Sequence, residues 1–365
     1  MKEINNIKSM YIHIPFCRNI CSYCDFCKFY YNEKIVEQYL DALLSEIDER
    51  YKGNTLETIY IGGGTPSCLN ISQLEILFSK IDSFSFSDDY EFTFEYNVMD
   101  ITEEKLMFLK NHRVNRLSIG VESFQKFILE ILERDYKKED IFDRVNLVKK
   151  YFSNINIDLI YAVSGENIVD LEKDIELFLD LDVNHISTYS LIIEDNTKLG
   201  IRGVLPISEE LDKMMYDMIH KTLTDHGFNH YEISNFSKLG YESKHNLVYW
   251  QNKHYYGFGL GASGYIDDIR YTNTRNIKKY LSLNYVQDEE KVSKELDATN
   301  QVILGFRTIY GVDDNLFIEK FGSSFIDYFK VDELVKNKVL LKNGNSFYIN
   351  PEYWYISNEI LIKFV

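Results

Sequence analysis

Tyr11-Ile-His-Ile-Pro-Phe-Cys17-Arg-Asn-Ile-Cys21-Ser-Tyr-Cys24-Asp-Phe26 places three cysteines, spaced C-x-x-x-C-x-x-C, directly after a short apolar run. Residues 10–14 read as a buried strand that Pro15 ends, so the thiols fall in the loop at a strand's carboxyl end. Thiolates bind soft metals and iron–sulfur clusters. Three protein ligands on a four-iron cluster leave one iron free, able to chelate a small molecule through an amine and a carboxylate. Two other readings stay open on spacing alone. Zinc could take Cys27 as a fourth ligand, although structural zinc sites usually draw two separated pairs from different turns. A disulfide is disfavoured in reducing cytosol.

Outward from this loop the apolar periodicity alternates between two kinds. Strands are expected over 10–14, 57–61, 90–96, 115–121, 156–161 and 184–192. Helices are expected between them, over 33–51, 72–81, 102–112, 125–132 with 138–151, and 168–181. Six strands alternating with helices argue a parallel sheet with helices outside. The expected fold class is α/β: a partial, open six-stranded (β/α) barrel with its chemistry at the carboxyl ends of the strands. Residues 1–200 would form this core and 201–295 would complete and link it. Within the second stretch, 206–226 reads as a helix, and 229–234, 245–250 and 255–266 as strand-and-loop material. From 296 to 365 a small winged-helix-like C-terminal domain is expected. It has short helices over 297–309, 315–321 and 331–336, a hairpin of 339–341 with 346–349 around Asn343-Gly344, and a last helix over 353–364.

The formal net charge of −17 repels phosphate backbones and anionic lipid, which argues against nucleic-acid binding. Residues 297–365 carry 7 Lys+Arg against 9 Asp+Glu, so the C-terminal domain reads as a packing or lid element and not a DNA reader. No apolar run approaches the about 20 residues of a membrane span. The segment Met1–Met10 lacks the apolar core of a signal peptide. A cytoplasmic protein is expected.

Gly62-Gly63-Gly64-Thr65-Pro66 follows a strand and precedes a helix, where glycines let a backbone approach a ligand and offer N–H groups to it. Beside the cysteine loop it would floor the amine and carboxylate of S-adenosylmethionine (SAM). Together with Glu95-Tyr-Asn97, Ser118-Ile-Gly120-Val-Glu-Ser123-Phe and Asp158-Leu-Ile-Tyr161, these motifs resemble the coproporphyrinogen III oxidase-like branch of the radical-SAM family. Ile186-Ser-Thr-Tyr189, Tyr231-Glu-Ile-Ser-Asn235-Phe, His245-Asn246-Leu-Val-Tyr249-Trp250 and Gly257-Phe-Gly-Leu-Gly-Ala262-Ser263 continue the resemblance over nearly the whole chain.

Two groups share that architecture: the oxygen-independent oxidase, which decarboxylates two propionates, and the HemW-type heme chaperones, which bind heme and pass it to apo-hemoproteins such as membrane-bound respiratory enzymes. The triad begins 17 residues in, Phe26 stands where the oxidase pattern has another cysteine, and His-Asn-x-x-Tyr-Trp is the chaperone group's proposed heme motif. The chaperone is therefore the expectation and the oxidase the alternative. The resemblance implies a 4Fe–4S cluster on Cys17, Cys21 and Cys24. It implies SAM contacts from Tyr11, Tyr23, Gly63, Gly64, Thr65, Glu95, Glu122, Arg134 and Asp158. It also implies heme ligation by His245, whose commoner role, taken alone, is a core histidine bonded to backbone. A monomer, or a dimer formed with ligand, is implied as well. Some positions depart from the family. Glu122 stands for the usual Gln and Tyr136 for a common His. Ala162-Val-Ser-Gly-Glu166 replaces Gly-Leu-Pro-Gly-Gln, and no proline follows Asn97. These changes cluster near the SAM pocket and predict that cluster and heme binding persist more firmly than radical chemistry.

Overall fold

The structure, a computed structural model, describes residues 7–365; the first six residues of the Met1–Met10 segment lie outside the described residues. The six expected parallel strands form, in chain order: β1 (Ser9–Ile14), β2 (Leu56–Gly63), β3 (Phe86–Asn97), β4 (Arg116–Glu122), β5 (Asn154–Tyr161) and β6 (His185–Ser190). The sheet is larger than the sequence reading had it. Strands β7 (Asn229–Glu232) and β8 (Asn235–Ser237) add antiparallel beyond β6, and β9 (Tyr256–Phe258) adds parallel to β1. The nine-stranded order is β9-β1-β2-β3-β4-β5-β6-β8-β7, and its two ends do not pair with each other, so the barrel is open.

Helices cover the outer face: α1 (Glu33–Arg50), α2 (Ile71–Ile81), α3 (Glu103–Asn111), α4 (Lys126–Leu132), α5 (Lys138–Lys149), α6 (Ile168–Asp180) and α7 (Glu209–Asp225). Several start where a side chain accepts from a free N–H of the first turn: Asn32 for α1, Asn70 with Gln73 in a capping box for α2, Asn167 for α6 and Ser208 for α7. One main apolar core lies between the strands' outward side chains and these helices, as with Leu117, Ile119 and Val121 of β4. Side chains alternate across a strand, so the opposite set, including Arg116, Ser118, Asn156, Asp158 and Ser187, faces the barrel interior and is polar.

Buried Glu46 on α1 secures the closing edge. It accepts from the Gly259 N–H at 2.9 Å, the Asn273 amide at 2.7 Å and the Tyr280 hydroxyl at 2.5 Å, and pairs with Arg50 at 2.6 Å. A buried carboxylate is tolerated when its lone pairs are filled in this way.

Residues 245–250, expected as strand and loop, belong instead to a helix, α8 (Lys244–Trp250). Ser243 caps it, and Glu91 of β3 accepts from the N–H groups of Lys244 and His245, both at 3.0 Å. The C-terminal part has its own core, from Ala298 to Phe364. Short helices, α9 (Lys294–Gly305) and α10 (Asp314–Phe321) among them, pack on a small sheet that holds the expected hairpin, Leu340–Asn343 with Ser346–Ile349. The expected last helix is broken into Pro351–Tyr353, Ser357–Leu361 and Ile362–Phe364.

Candidate cofactor site

The carboxyl ends of β1 and β2 bring the cysteine loop against the glycine turn. A Cβ on Gly63 would sit 2.5 Å from the His13 ring, and one on Gly64 3.0 Å from the Cys17 sulfur. Gly63 also holds φ at +117°, a region costly for any residue with a Cβ. Its N–H donates to Glu95 Oε2 at 2.9 Å, and the Tyr60 hydroxyl donates to Glu95 Oε1 at 2.8 Å. The Thr65 hydroxyl reaches the Cys17 sulfur at 3.3 Å.

Beside this turn opens a cavity of about 480 Å³. Cys17, Cys21 and Cys24 line it, with Gly63, Gly64 and Thr65 next to them. Tyr23, Glu95, Glu122, Arg134 and Asp158 line it further round. Burial pushes the Glu95 carboxyl up to about 7, against the pull of its Tyr60 and Gly63 bonds. Burial, then the Glu122 charge, pushes Asp158 up to about 7, with Asn156 pulling the other way. Burial pushes the Cys17 thiol up to about 11 and raises Cys21.

Glu122, Arg134 and Tyr23 are joined to one another. Arg134 Nη2 forms a buried ion pair with Glu122 Oε1 and donates to the Tyr23 hydroxyl at 3.1 Å; that hydroxyl donates to Glu122 at 3.0 Å. Arg134, which the resemblance makes a SAM contact, already has a carboxylate, although among the described residues its Nε has no partner.

The donor set fits an iron–sulfur cluster. The three thiols are free of disulfides and face one cavity. Among the described residues no three such ligands gather about a point for a single ion. A cubane, with each thiolate on a different iron, takes a wider stance. Cys27 lies outside the cavity lining, packed against Gly261, and Cys68 is buried with its sulfur against the Phe16 carbonyl at 3.4 Å.

The structure does not bring Tyr11 and His245 into the cavity. The Tyr11 hydroxyl bonds His13 Nδ1 at 2.9 Å. The His245 ring is fully buried, with Nδ1 on the Thr58 hydroxyl and Nε2 on the Tyr249 hydroxyl, both at 2.8 Å. It packs on Tyr60, ring centroids 5.3 Å apart, and so supports the tyrosine that holds Glu95. From the same motif it is Asn246 that lines the cavity. The sequence reading also gave no site role to Tyr60, Arg116, Ser118, Asn156, Ser187 and Tyr189, all of them cavity lining. Their signal was available: polar side chains at every second position of neighbouring strands, all on one face.

Residues 11–178 match the radical SAM superfamily. Along its length the chain is 38% identical to heme chaperone HemW of Lactococcus lactis, over 98% of this chain and 97% of that one. It is 37% identical to heme chaperone HemW of Bacillus subtilis, over 98% and 99%. Its fold is similar to that of coproporphyrinogen III oxidase (HemN) from Escherichia coli, with a TM-score of 0.86 and 22% identity over 98% of this chain and 90% of that one. That likeness shows the fold alone, whereas the full-length identities decide the family: the chain belongs to the HemW heme-chaperone family and carries its radical SAM domain.

Proposed function

We propose that the protein is a heme chaperone, which binds heme on a cluster-bearing radical SAM scaffold and hands it to apo-hemoproteins, membrane-bound respiratory enzymes among them. The observation that carries this reading is likeness to HemW proteins over 98% of the chain. The site is compatible with it. In a chain of net charge −17 the cavity lining includes Phe26 and Ile192, 66% and 72% exposed, together with exposed Tyr189 and buried Leu191. Exposed apolar side chains grouped at a cavity mark a binding surface, and a porphyrin face is such an apolar partner.

Cys17, Cys21 and Cys24 would hold the cluster, and the Gly63–Thr65 turn and Glu95 would receive the amino-acid end of SAM. Asp158 would accept from ribose hydroxyls. When bound, cluster and SAM supply one-electron chemistry; the protein's part is to hold and orient them. Five free cysteines suit a reducing compartment, which supports a cytoplasmic location; among the described residues no helix is long and apolar enough to cross a membrane.

The test is anaerobic reconstitution, heme titration, and mixing of the heme-loaded chain with an apo-hemoprotein while the Soret band is followed. Stoichiometric heme binding and passage to the acceptor, without decarboxylation of coproporphyrinogen III, is the expected result. SAM-dependent decarboxylation without heme transfer would make the chain an oxidase.

A further inference from the structure

The cavity is lined by a cation that, among the described residues, no carboxylate meets in an ion pair, although the Glu95 carboxyl feels its charge. Arg116 begins β4, is 2% exposed, and still lines the cavity. Its one side-chain hydrogen bond among the described residues runs to the Thr93 hydroxyl at 3.5 Å, the outer limit of a useful bond. Among the described residues its Nε has no partner and it forms no ion pair. An unpaired buried charge is expensive, and a fold that keeps one leaves a place for an anion.

Two more donors face the same space. The Ser118 hydroxyl accepts from Asn156 Nδ2 at 2.8 Å, which leaves its own proton uncommitted. Asn246, one residue past the buried His245, lines the cavity, and among the described residues its side-chain amide makes no hydrogen bond. Of the five carboxylates that line the cavity, Glu122 is paired with Arg134, Glu95 accepts from Tyr60 and Gly63 and also feels the Arg116 charge, Asp158 accepts from Asn156, and Asp25 and Glu194 line it as well. A guanidinium beside a hydroxyl and an amide suits a carboxylate, which a guanidinium can meet through two parallel bonds.

We propose that Arg116, with Ser118 and Asn246, receives a carboxylate of the cavity's ligand, and, resting on the chaperone reading, that this carboxylate is a propionate of heme. Arg116 begins β4 and Glu122 ends it, past an irregularity in the pairing with β5. The anion receptor therefore lies toward the opposite end of β4 from the Tyr23–Glu122–Arg134 group. Heme enters propionate edge first, and its apolar edge rests among Phe26, Leu191 and Ile192.

The experiment compares Soret titrations with ferric protoheme and with its dimethyl ester, in which both propionates are capped, on the full chain and on Arg116→Gln and Asn246→Ala. Wild type is expected to prefer the free acid by about tenfold or more, the worth of a charged hydrogen-bonded contact. Arg116→Gln is expected to lose that preference by weakening protoheme and sparing the ester. Asn246→Ala, at a half-buried position, reads the same receptor should Arg116→Gln fail to fold, and is expected to lower the preference severalfold. Equal binding of acid and ester by wild type, or an undiminished preference in the variants, overturns the receptor and leaves the chaperone reading standing. Wild type that binds neither porphyrin overturns both.

Discussion

Glu122 is the residue where this chain departs most consequentially from the motif it resembles. A glutamine there would leave Arg134 charged and available; the glutamate neutralises it in a buried pair that also takes up the Tyr23 hydroxyl. Desolvation of two charges offsets much of their attraction, so the pair is not retained for stability alone. Its effect is to withdraw a cation from any ligand carboxylate near the cysteine loop. Glu122→Gln keeps the shape and an acceptor for Arg134 while removing the charge. SAM affinity, measured by calorimetry, is expected to rise about threefold to tenfold, and stability to fall by about 1–3 kcal/mol as the charged bond is lost. A fall in SAM affinity would instead make the Glu122 carboxylate a direct ligand contact.

At the scale of elements, α8 decides how the His-Asn-x-x-Tyr-Trp motif is used. Ser243 and Glu91 satisfy its free N–H groups, and this fixes the helix so that His245 turns inward to Thr58 and Tyr249. His245→Ala should therefore remove two hydrogen bonds and open a cavity under Tyr60, lowering stability by about 2–4 kcal/mol in denaturant unfolding. The Soret position of the heme complex should not move. A shifted Soret band in a folded His245→Ala protein would return the ligand role to this histidine. The same helix shows where the sequence was legible. The strands at 57–61, 115–121 and 156–161 were readable because one face of each is continuously apolar. Val248, Tyr249 and Trp250 have strand-like composition, and the signal that makes them helical is a cap completed by Glu91, more than 150 residues away in the chain. The edge strand Tyr256–Phe258 is likewise held by partners distant in sequence, Met10–Ile12 and Glu46. The site was legible where chemistry names the residue type, as at the thiols and the glycine turn. It was not legible at Arg116 or Ser118, whose meaning lies in which face of the sheet they share.

For the whole molecule, burial of polar groups in an open barrel sets how stability varies with pH. His13, His185, His230 and His245 are buried and bonded as neutral rings, and burial lowers all four below their ordinary value of 6.5, His13 to about 4, His230 and His245 to about 3. His230 also ties the sheet to the C-terminal part, stacked on Phe236 at 4.0 Å and edge-on to Trp354 at 4.6 Å. Against these stand Glu95 and Asp158, raised to about 7, and Glu166 and Glu232, raised to about 8, again chiefly by burial. A depressed histidine adds stability that is full above 6.5 and is lost as pH falls toward its folded value. A raised carboxylic acid adds stability that is full below about 4 and is lost as pH rises to its folded value. Between about pH 4.5 and 6.5 the unfolded chain gains protons on the histidines and lacks them on the acids, so the two sets oppose each other and stability is nearly flat. Below that window only the histidines act, and above it only the acids. The thermal midpoint of the chain without SAM or heme is therefore expected to form a plateau at mildly acidic pH and to fall on both sides, between about 4.5 and 3 and between about 6.5 and 8. His230→Gln should soften the acid limb and leave the alkaline one unchanged, because it removes one of the four rings and none of the acids. A midpoint that climbs steadily from pH 5 to 8 would mean that the interior acids are ionised in the folded chain, with counter-charges that their present partners do not supply.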